Sequence, residues 1–359
     1  MGDVNGGPET RAESAERISQ RPLVTFALFA YNQERYVREA IEGAFSQTYE
    51  PLEIILSDDC STDRTFEIMQ EMAAAYRGPH RVQLNRPPVN LGLVRHVLNV
   101  VEITNSEFMV LAAGDDISKP NRTDDLVRLW RDSGGWGFYS RFDLIDDSGV
   151  LLREYLYSPP DNKEILKLVK SDDSMDFIHG ATSAYDTRVF KYIPEPAIAL
   201  HNEDAILSVA LNLLDKGIRF ADKSLLKYRM HSQAASNAIP AADTINDLRI
   251  TEKDNAVYAR RVLNLCDYIA NELVPYIANS FPYPHRSLNC DEIQRLRDFY
   301  TMQSEMANAD FMARVGMMLR FRNAMAWRWL VVRLFGINML WLIRKCGRLV
   351  SKPKFVKYR

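Results

Sequence analysis

Three apolar runs, each closing on polar or acidic residues and each followed by a helical stretch, limit what this chain can fold into. Residues 22–31 (PLVTFALFAY) end at Tyr31-Asn32. Leu52 to Leu56 ends in Ser57-Asp58-Asp59, and Phe108 to Ala112 ends in Gly114-Asp115-Asp116. Short apolar runs with β-branched members and flanking breakers read as buried strands. Between them, residues 34–46 place Val37, Ile41, Ala44 and Phe45 on one side of a helix. A second helix starts near Ser61, a weaker strand lies at Val82–Leu84, and a third helix spans Leu91–Glu102. This alternation predicts an α/β fold, Rossmann-like, with a mostly parallel sheet covered by helices on both faces.

In such sheets ligands bind at the carboxyl ends of the strands, where Tyr31-Asn32, Asp58-Asp59 and Asp115-Asp116 converge. Each has a plainer reading too. Asp58 or Asp59 suits the cap of the helix near Ser61, with Asp63 in its first turn, and Asp116 suits the helix after Pro120. Adjacent carboxylates repel unless a cation or a donor offsets them, so two Asp-Asp pairs call for something cationic at that edge.

Beyond residue 120 the pattern is less regular. Strands are expected at Trp136–Leu144, Val150–Tyr155, Ala181–Tyr185, Ile218–Phe220 and Leu225–Met230, and helices at Lys163–Lys170 and Asp204–Leu214. After about residue 240 the chain reads as helical, at 242–276, 291–307 and 311–349, with breaks at Ser232–Pro240 and Ser280–Ser287.

The net charge of −2 conceals an asymmetry. Residues 311–359 hold 12 Lys and Arg and no Asp or Glu, leaving 33 basic and 47 acidic side chains on the rest. A basic tail on an acidic body favours an anionic partner. WRWLVVRLFGINMLWLI (327–343) is interrupted by Arg328 and Arg333, and the stretch after Arg333 is too short to span a bilayer. Arg322, Arg333 and Arg344 recur on one side of a helix, with Trp327, Trp329, Phe335 and Trp341 alongside. The tail therefore reads as an interfacial amphipathic helix drawn to anionic lipid, with a basic helix packed on the body as the other reading. No nucleic-acid motif accompanies the charge, so no nucleic-acid partner is expected. The four scattered cysteines, Cys60, Cys266, Cys290 and Cys346, form neither a disulfide framework nor a zinc spacing and suit a reducing compartment. Residues 1–21 are polar, lack the apolar core of a signal peptide and are expected to be a disordered leader.

The stretch VTFALFAYNQERYVREAIEGAFSQTYEPLEIILSDDCSTDRT, followed by NLGLVRHVLN and FMVLAAGDDISKPNR, resembles the opening of the family-two, GT-A-fold, inverting glycosyltransferases, and the likeness runs over about residues 22–232. It implies a GT-A catalytic domain at 22–235, with a nucleotide-binding half at 22–120 and an acceptor half at 121–235. A helical region at 236–310 and the basic tail at 311–359 would form the C-terminal extension. By the same resemblance Ala30, Tyr31 and Asp59 line a nucleobase pocket, with Asp59 accepting from the base. Arg95 lies near the base or phosphates. Asp115 and Asp116 hold the ribose and a divalent metal, Mn²⁺ or Mg²⁺, bound to the diphosphate. The usual first Asp of that motif is Ala113 here, and two carboxylates remain, enough for a metal also held by phosphates and water.

HNEDAILSVALNLL resembles the family's Glu-Asp segment at a helix start, which implies Asp204 as general base and Glu203 as an acceptor contact or orienting group. Both would also favour that helix N-terminus through its dipole. KYRMHSQAAS resembles a Tyr-Arg-x-His segment whose Arg229 or His231 reaches the diphosphate or metal, unless His231 is structural. His179, beside Gly180 and Ala181, would border the acceptor pocket. The partners implied are a nucleotide-sugar donor and a glycan or glycolipid acceptor, used in surface polysaccharide or glycolipid synthesis by a cytoplasmic enzyme peripheral on the inner face of the membrane. Region 241–310 suits an oligomer surface or an acceptor lid. Two other classes remain: a sugar nucleotidyltransferase, which should show a Gly-rich loop where this chain has AYNQERY, and a non-catalytic GT-A-like scaffold or carbohydrate-binding protein, favoured only by Ala113.

Overall fold

The computed structural model describes residues 21–156, 178–231, 245–281, 287 and 289–306. Residues 1–20 of the expected leader, the helix at Lys163–Lys170 and the basic tail at 311–359 lie outside the described residues. In chain order the elements are β1 (Val24–Ala30), α1 (Val37–Phe45), β2 (Leu52–Asp58), α2 (Thr65–Ala75), β3 (Arg81–Asn85), α3 (Leu93–Ile103) and β4 (Phe108–Ala113). There follow β5 (Ile117–Ser118), α4 (Arg122–Ser133), β6 (Gly137–Ile145), β7 (Leu151–Leu156), β8 (Ala184–Asp186), α5 (Glu203–Leu213) and β9 (Ile218–Arg229). Helix α6 (Ile245–Tyr268) runs through a π-helical turn, Ile269–Leu273, into α7 (Val274–Ser280), and α8 spans Cys290–Met306.

Among the described residues the nine strands form one sheet in the order β3-β2-β1-β4-β8-β6-β9-β5, with β7 on β6. The block β3-β2-β1-β4 is parallel throughout. Every residue of β1 and β2 is buried, and both are mostly apolar, with Thr25 in β1 and Glu53 in β2 ahead of the closing Ser57-Asp58. Phe26, Leu28, Ile54, Leu56, Phe108 and Val110 share one core with Val37, Ile41 and Ala44 of α1. Each of the Val, Leu, Ile and Phe side chains contributes about 1.5–3 kcal/mol of burial.

The sheet is more mixed beyond β4 than strand–helix alternation implies. The short β8 runs antiparallel to both β4 and β6, and β9 returns parallel to β6 with irregular register near Ser140–Phe142. Two expectations are corrected here. Residues Gly180–Thr182 form a 3-10 turn, so the expected strand at 181–185 shrinks to Ala184–Asp186, because Thr182 and Ser183 amides bond back to His179 and Gly180. The two strands expected at 218–220 and 225–230 are one strand, since β6 offers a continuous partner.

The described residues divide into two compact units. One holds the sheet and the segment from Tyr268 through α7; its Tyr268 hydroxyl donates to Pro194 O at 2.6 Å. The other holds α6 up to Asp267 and α8, in which Val262, Leu265, Ile293 and Leu296 are buried and Arg297 pairs with Asp267 at 2.5 Å. No helix among the described residues is long and apolar enough to cross a membrane.

Candidate active site

Parallel register brings the ends of β1, β2 and β4 to one edge. Asp59 N–H donates to Ala30 O and Gly114 N–H to Phe29 O, both at 2.9 Å. A Cβ on Gly114 would stand 2.5 Å from Gln33 Oε1 and 2.7 Å from Ala30 Cβ, so only glycine permits this closure. The Tyr31–Glu34 loop is stitched to the loop after β2. Asn32 N–H donates to Ser61 Oγ, Gln33 N–H to Thr65 Oγ1 (both 2.8 Å) and Glu34 N–H to Asp63 Oδ2 (3.0 Å). Asn32 and Cys60 adopt left-handed backbone to make these turns. Ala30 is buried below this surface and Tyr31 is exposed on it.

The two carboxylates after β2 are offset differently. Asp58 accepts from Ser61 N–H at 3.0 Å and pairs with Arg86 Nε at 3.1 Å. Asp59 accepts from Leu91 N–H at 2.7 Å through Oδ1 and from Gly92 N–H at 3.0 Å through Oδ2. The first turn of α2 is served by Asp63, which accepts from Thr65 N–H at 2.9 Å. Both oxygens of Asp59 are thus engaged by backbone, and a base N–H would share one of them. Behind it, His96 Nε2 lies 2.5 Å from Ser57 Oγ, and burial lowers the pKa of this imidazole.

After β4 a buried arginine organises the acidic pair. Arg229, at the end of β9, donates its backbone N–H to Asp116 Oδ1 at 2.8 Å, Nε to Asp115 O at 3.0 Å, Nη1 to Asp147 O at 3.0 Å and Nη2 to Glu39 Oε2 at 2.8 Å. His231 Nε2 stands 3.0 Å from Asp115 Oδ2, and its ring packs on Tyr36 with centroids 4.4 Å apart. Asp116, expected beside a metal, is enclosed. Its Oδ2 is buried without a hydrogen-bond partner, and burial together with the charge of Asp115 raises its pKa well above the carboxylate range. Among the described residues no group of three or more His, Cys, Asp and Glu converges as a metal site. The donor set on offer is therefore Asp115 Oδ2 with His231 Nε2. An oxygen and an imidazole nitrogen at that spacing fit one divalent cation whose other ligands are phosphate and water.

The Glu203–Asp204 pair opens α5 and sits against the 3-10 turn before β8. Gly180 N–H donates to Asp204 Oδ2 at 3.3 Å, and a Cβ on Gly180 would stand 2.5 Å from Glu203 Oε1. Burial and the adjacent Asp204 raise the pKa of Glu203 well above the carboxylate range. Buried Tyr185 of β8 lies beneath, and desolvation with the charges of Glu203 and Asp204 raises its phenol likewise. His179 stacks on Phe142 and meets Tyr228 edge-on, both at 5.5 Å.

Arg122, which the sequence did not single out, joins the two sides. Fully buried, it donates Nη1 to Ser118 Oγ at 2.9 Å and Nη2 to Leu111 O at 2.7 Å and Ala181 O at 3.0 Å. Burial lowers its pKa to about 10. It is the first residue of α4, where the helix dipole disfavours a cation; that misplaced charge was the available signal. Arg95, expected near the base or phosphates, donates Nε to Pro196 O at 2.9 Å and lies 3.4 Å from Glu195.

A parallel block closing on acidic residues is joined through an antiparallel strand to a mixed block that carries a second carboxylate pair, the arrangement of the GT-A fold. The family model for glycosyl transferase family 2 matches residues 25–193. An uncharacterised protein of Mycobacterium tuberculosis is 41% identical over 91 residues, 24% of this chain and 25% of that protein. An uncharacterised glycosyltransferase of Rickettsia felis is 28% identical over 233 residues, 61% of this chain and 36% of that protein. The matches thus span only about a quarter to a third of these relatives' lengths. Among solved structures, the mannosyltransferase PcManGT from Pyrobaculum calidifontis, in complex with GDP-Man and Mn²⁺, superposes with a TM-score of 0.52 at 13% identity, over 92% of this chain and 93% of that one.

Proposed function

We propose that this protein transfers a glycosyl group from a nucleoside-diphosphate sugar to an acceptor hydroxyl with inversion at the anomeric carbon. The observation that carries the reading is the placement of two carboxylate groups, Asp115 with His231 and Glu203 with Asp204, on one edge of one sheet. Leu111 N–H donates to Ser183 O at 3.1 Å, so the turn that seats Asp204 lies beside β4, the strand that leads to Asp115. The base would rest at Ala30, Tyr31 and Asp59. Asp115 and His231 would hold Mn²⁺ or Mg²⁺, with Asp116 behind them. A divalent ion there supplies positive charge to the departing diphosphate.

The chain's own chemistry lies on the other side. Asp204 takes the proton of the acceptor hydroxyl as it attacks the anomeric carbon, and the bond to the diphosphate oxygen breaks in the same displacement. Glu203, which keeps its proton to unusually high pH, leaves Asp204 as the base and can donate to the acceptor. Gly180 N–H orients the Asp204 carboxylate. Surface glycans or glycolipids are the acceptor class in view.

The test is a panel of UDP-, GDP- and dTDP-sugars with Mn²⁺ or Mg²⁺, reading release of nucleoside diphosphate. Release from one donor, dependent on the ion, is expected. No release and no thermal stabilisation by any donor would overturn the reading.

A further inference from the structure

The helix that presents Glu203 and Asp204 has no side-chain cap: Asn202 stands at the cap position without a capping hydrogen bond. Besides Gly180 N–H and Ala205 N–H, which both donate to Asp204, its start is placed by the irregular segment before it. That segment, from Pro194 to Leu200, is held at three carbonyls. Tyr268 donates to Pro194 O at 2.6 Å, Arg95 Nε to Pro196 O at 2.9 Å and Val94 N–H to Leu200 O at 3.2 Å. Two of the three come from the first turn of α3. Gly92, just before that turn, lets Ala199 approach: its φ is 75°, and a Cβ there would stand 3.0 Å from Ala199 Cβ. The other side of the same turn is fixed by Asp59, which accepts from Leu91 and Gly92 N–H. The guanidinium of Arg95 is also 3.4 Å from Glu195, and its side chain is 30% exposed. Its partners all lie on the approach to α5.

We propose that Arg95 is a positioning residue for the Glu203–Asp204 pair, clamping the Pro194–Leu200 segment onto α3, and makes no contact with the donor. The meaning of the clamp for transfer rests on the proposed function; the clamp itself does not. A planar guanidinium with a charge-assisted bond to a carbonyl and a nearby carboxylate suits that task, and a lysine replaces it only in part.

Two variants, Arg95→Met and Arg95→Lys, test this with readings that do not share a cause. Amide hydrogen exchange over Ala199–Ile206 should quicken about tenfold in Arg95→Met, as expected when a charged hydrogen bond leaves a local opening unit. It should quicken less in Arg95→Lys, and exchange over Phe108–Ala113 should not change. Calorimetric affinity for UDP, GDP or dTDP with Mn²⁺ should stay within about twofold, while nucleoside-diphosphate release falls about tenfold in kcat with little change in the donor KM.

Unchanged exchange over Ala199–Ile206 overturns the clamp. A tenfold loss of nucleotide affinity overturns the second part, making Arg95 a donor contact as the family resemblance implies. If the wild-type protein releases no nucleoside diphosphate, the proposed function fails while exchange still decides the clamp. If Arg95→Met does not fold, the exchange and affinity readings on Arg95→Lys decide it.

Discussion

The two halves of the site edge are built by different means. The side formed by β1, β2 and β4 closes through contacts among segments that each read as strand, turn and helix on their own. Asn32 meets Ser61, Gln33 meets Thr65, and Gly114 meets Phe29. The Gly180–Asp204 side has little regular structure of its own. It is assembled from a 3-10 turn, a three-residue strand, an uncapped helix start and a segment clamped from α3 and Tyr268. Buried arginines bind the parts: Arg122 spans β4 and the Gly180 turn, and Arg229 ties β9, α1 and the β6–β7 turn to the acidic pair. On the proposed function, donor binding and proton transfer fall to different residues of this edge, and that division can be attacked.

The largest expected effect is Asp204→Asn, which should cut turnover about 10²–10⁴-fold, the usual worth of a general base. Single-turnover release of nucleoside diphosphate would measure it, and turnover retained to within a few-fold would remove Asp204 from that role. Next, Arg229→Met should lower stability by about 3 kcal/mol, the low end for breaking a buried pair, because Glu39 is half-exposed. Denaturant unfolding would show this, and ion-dependent nucleotide binding should weaken with it, because Asp115 O and the Asp146–Asp147 turn lose their donor.

Gly180→Ala should slow turnover about 10–100-fold by pushing Glu203 Oε1 from its seat, while binding is untouched. Equal losses in both would show that the two halves do not act separately. The smallest effect is that of Glu203→Gln. A carboxyl whose pKa is raised in the folded state contributes stability present at low pH and lost as pH rises through that raised value. The Gln variant should therefore flatten the decline of stability and of activity with rising pH, at a cost of only a few-fold in rate near neutrality.

The same contrast explains what could be read in the sequence. Strands β1, β2 and β4 were legible because burial on both faces leaves a mostly apolar run, and their polar or acidic ends followed directly. The start of α5 was legible from Glu203-Asp204 beside an apolar helix. The Gly180 turn was read as a strand, since Ala181–Tyr185 is apolar enough for one and only its bonds to His179 and Gly180 curl it. Residues 218–229 were read as two strands because Asp222-Lys223-Ser224 looks like a break, yet β6 carries β9 past it. Arg122, Glu39 and Tyr36 were missed because their partners are distant in the chain: Leu111 and Ala181 for Arg122, Arg229 for Glu39 and His231 for Tyr36.

The claim that one half of the site edge grips the donor while the other half takes the proton is tested most directly by calorimetry. UDP, GDP and dTDP would be titrated with Mn²⁺ into wild type, Asp115→Ala and Asp204→Asn. The account predicts that one nucleotide binds wild type and Asp204→Asn alike, and that Asp115→Ala loses at least about tenfold in affinity. Equal binding by Asp115→Ala, or loss in Asp204→Asn of the same size, would contradict it.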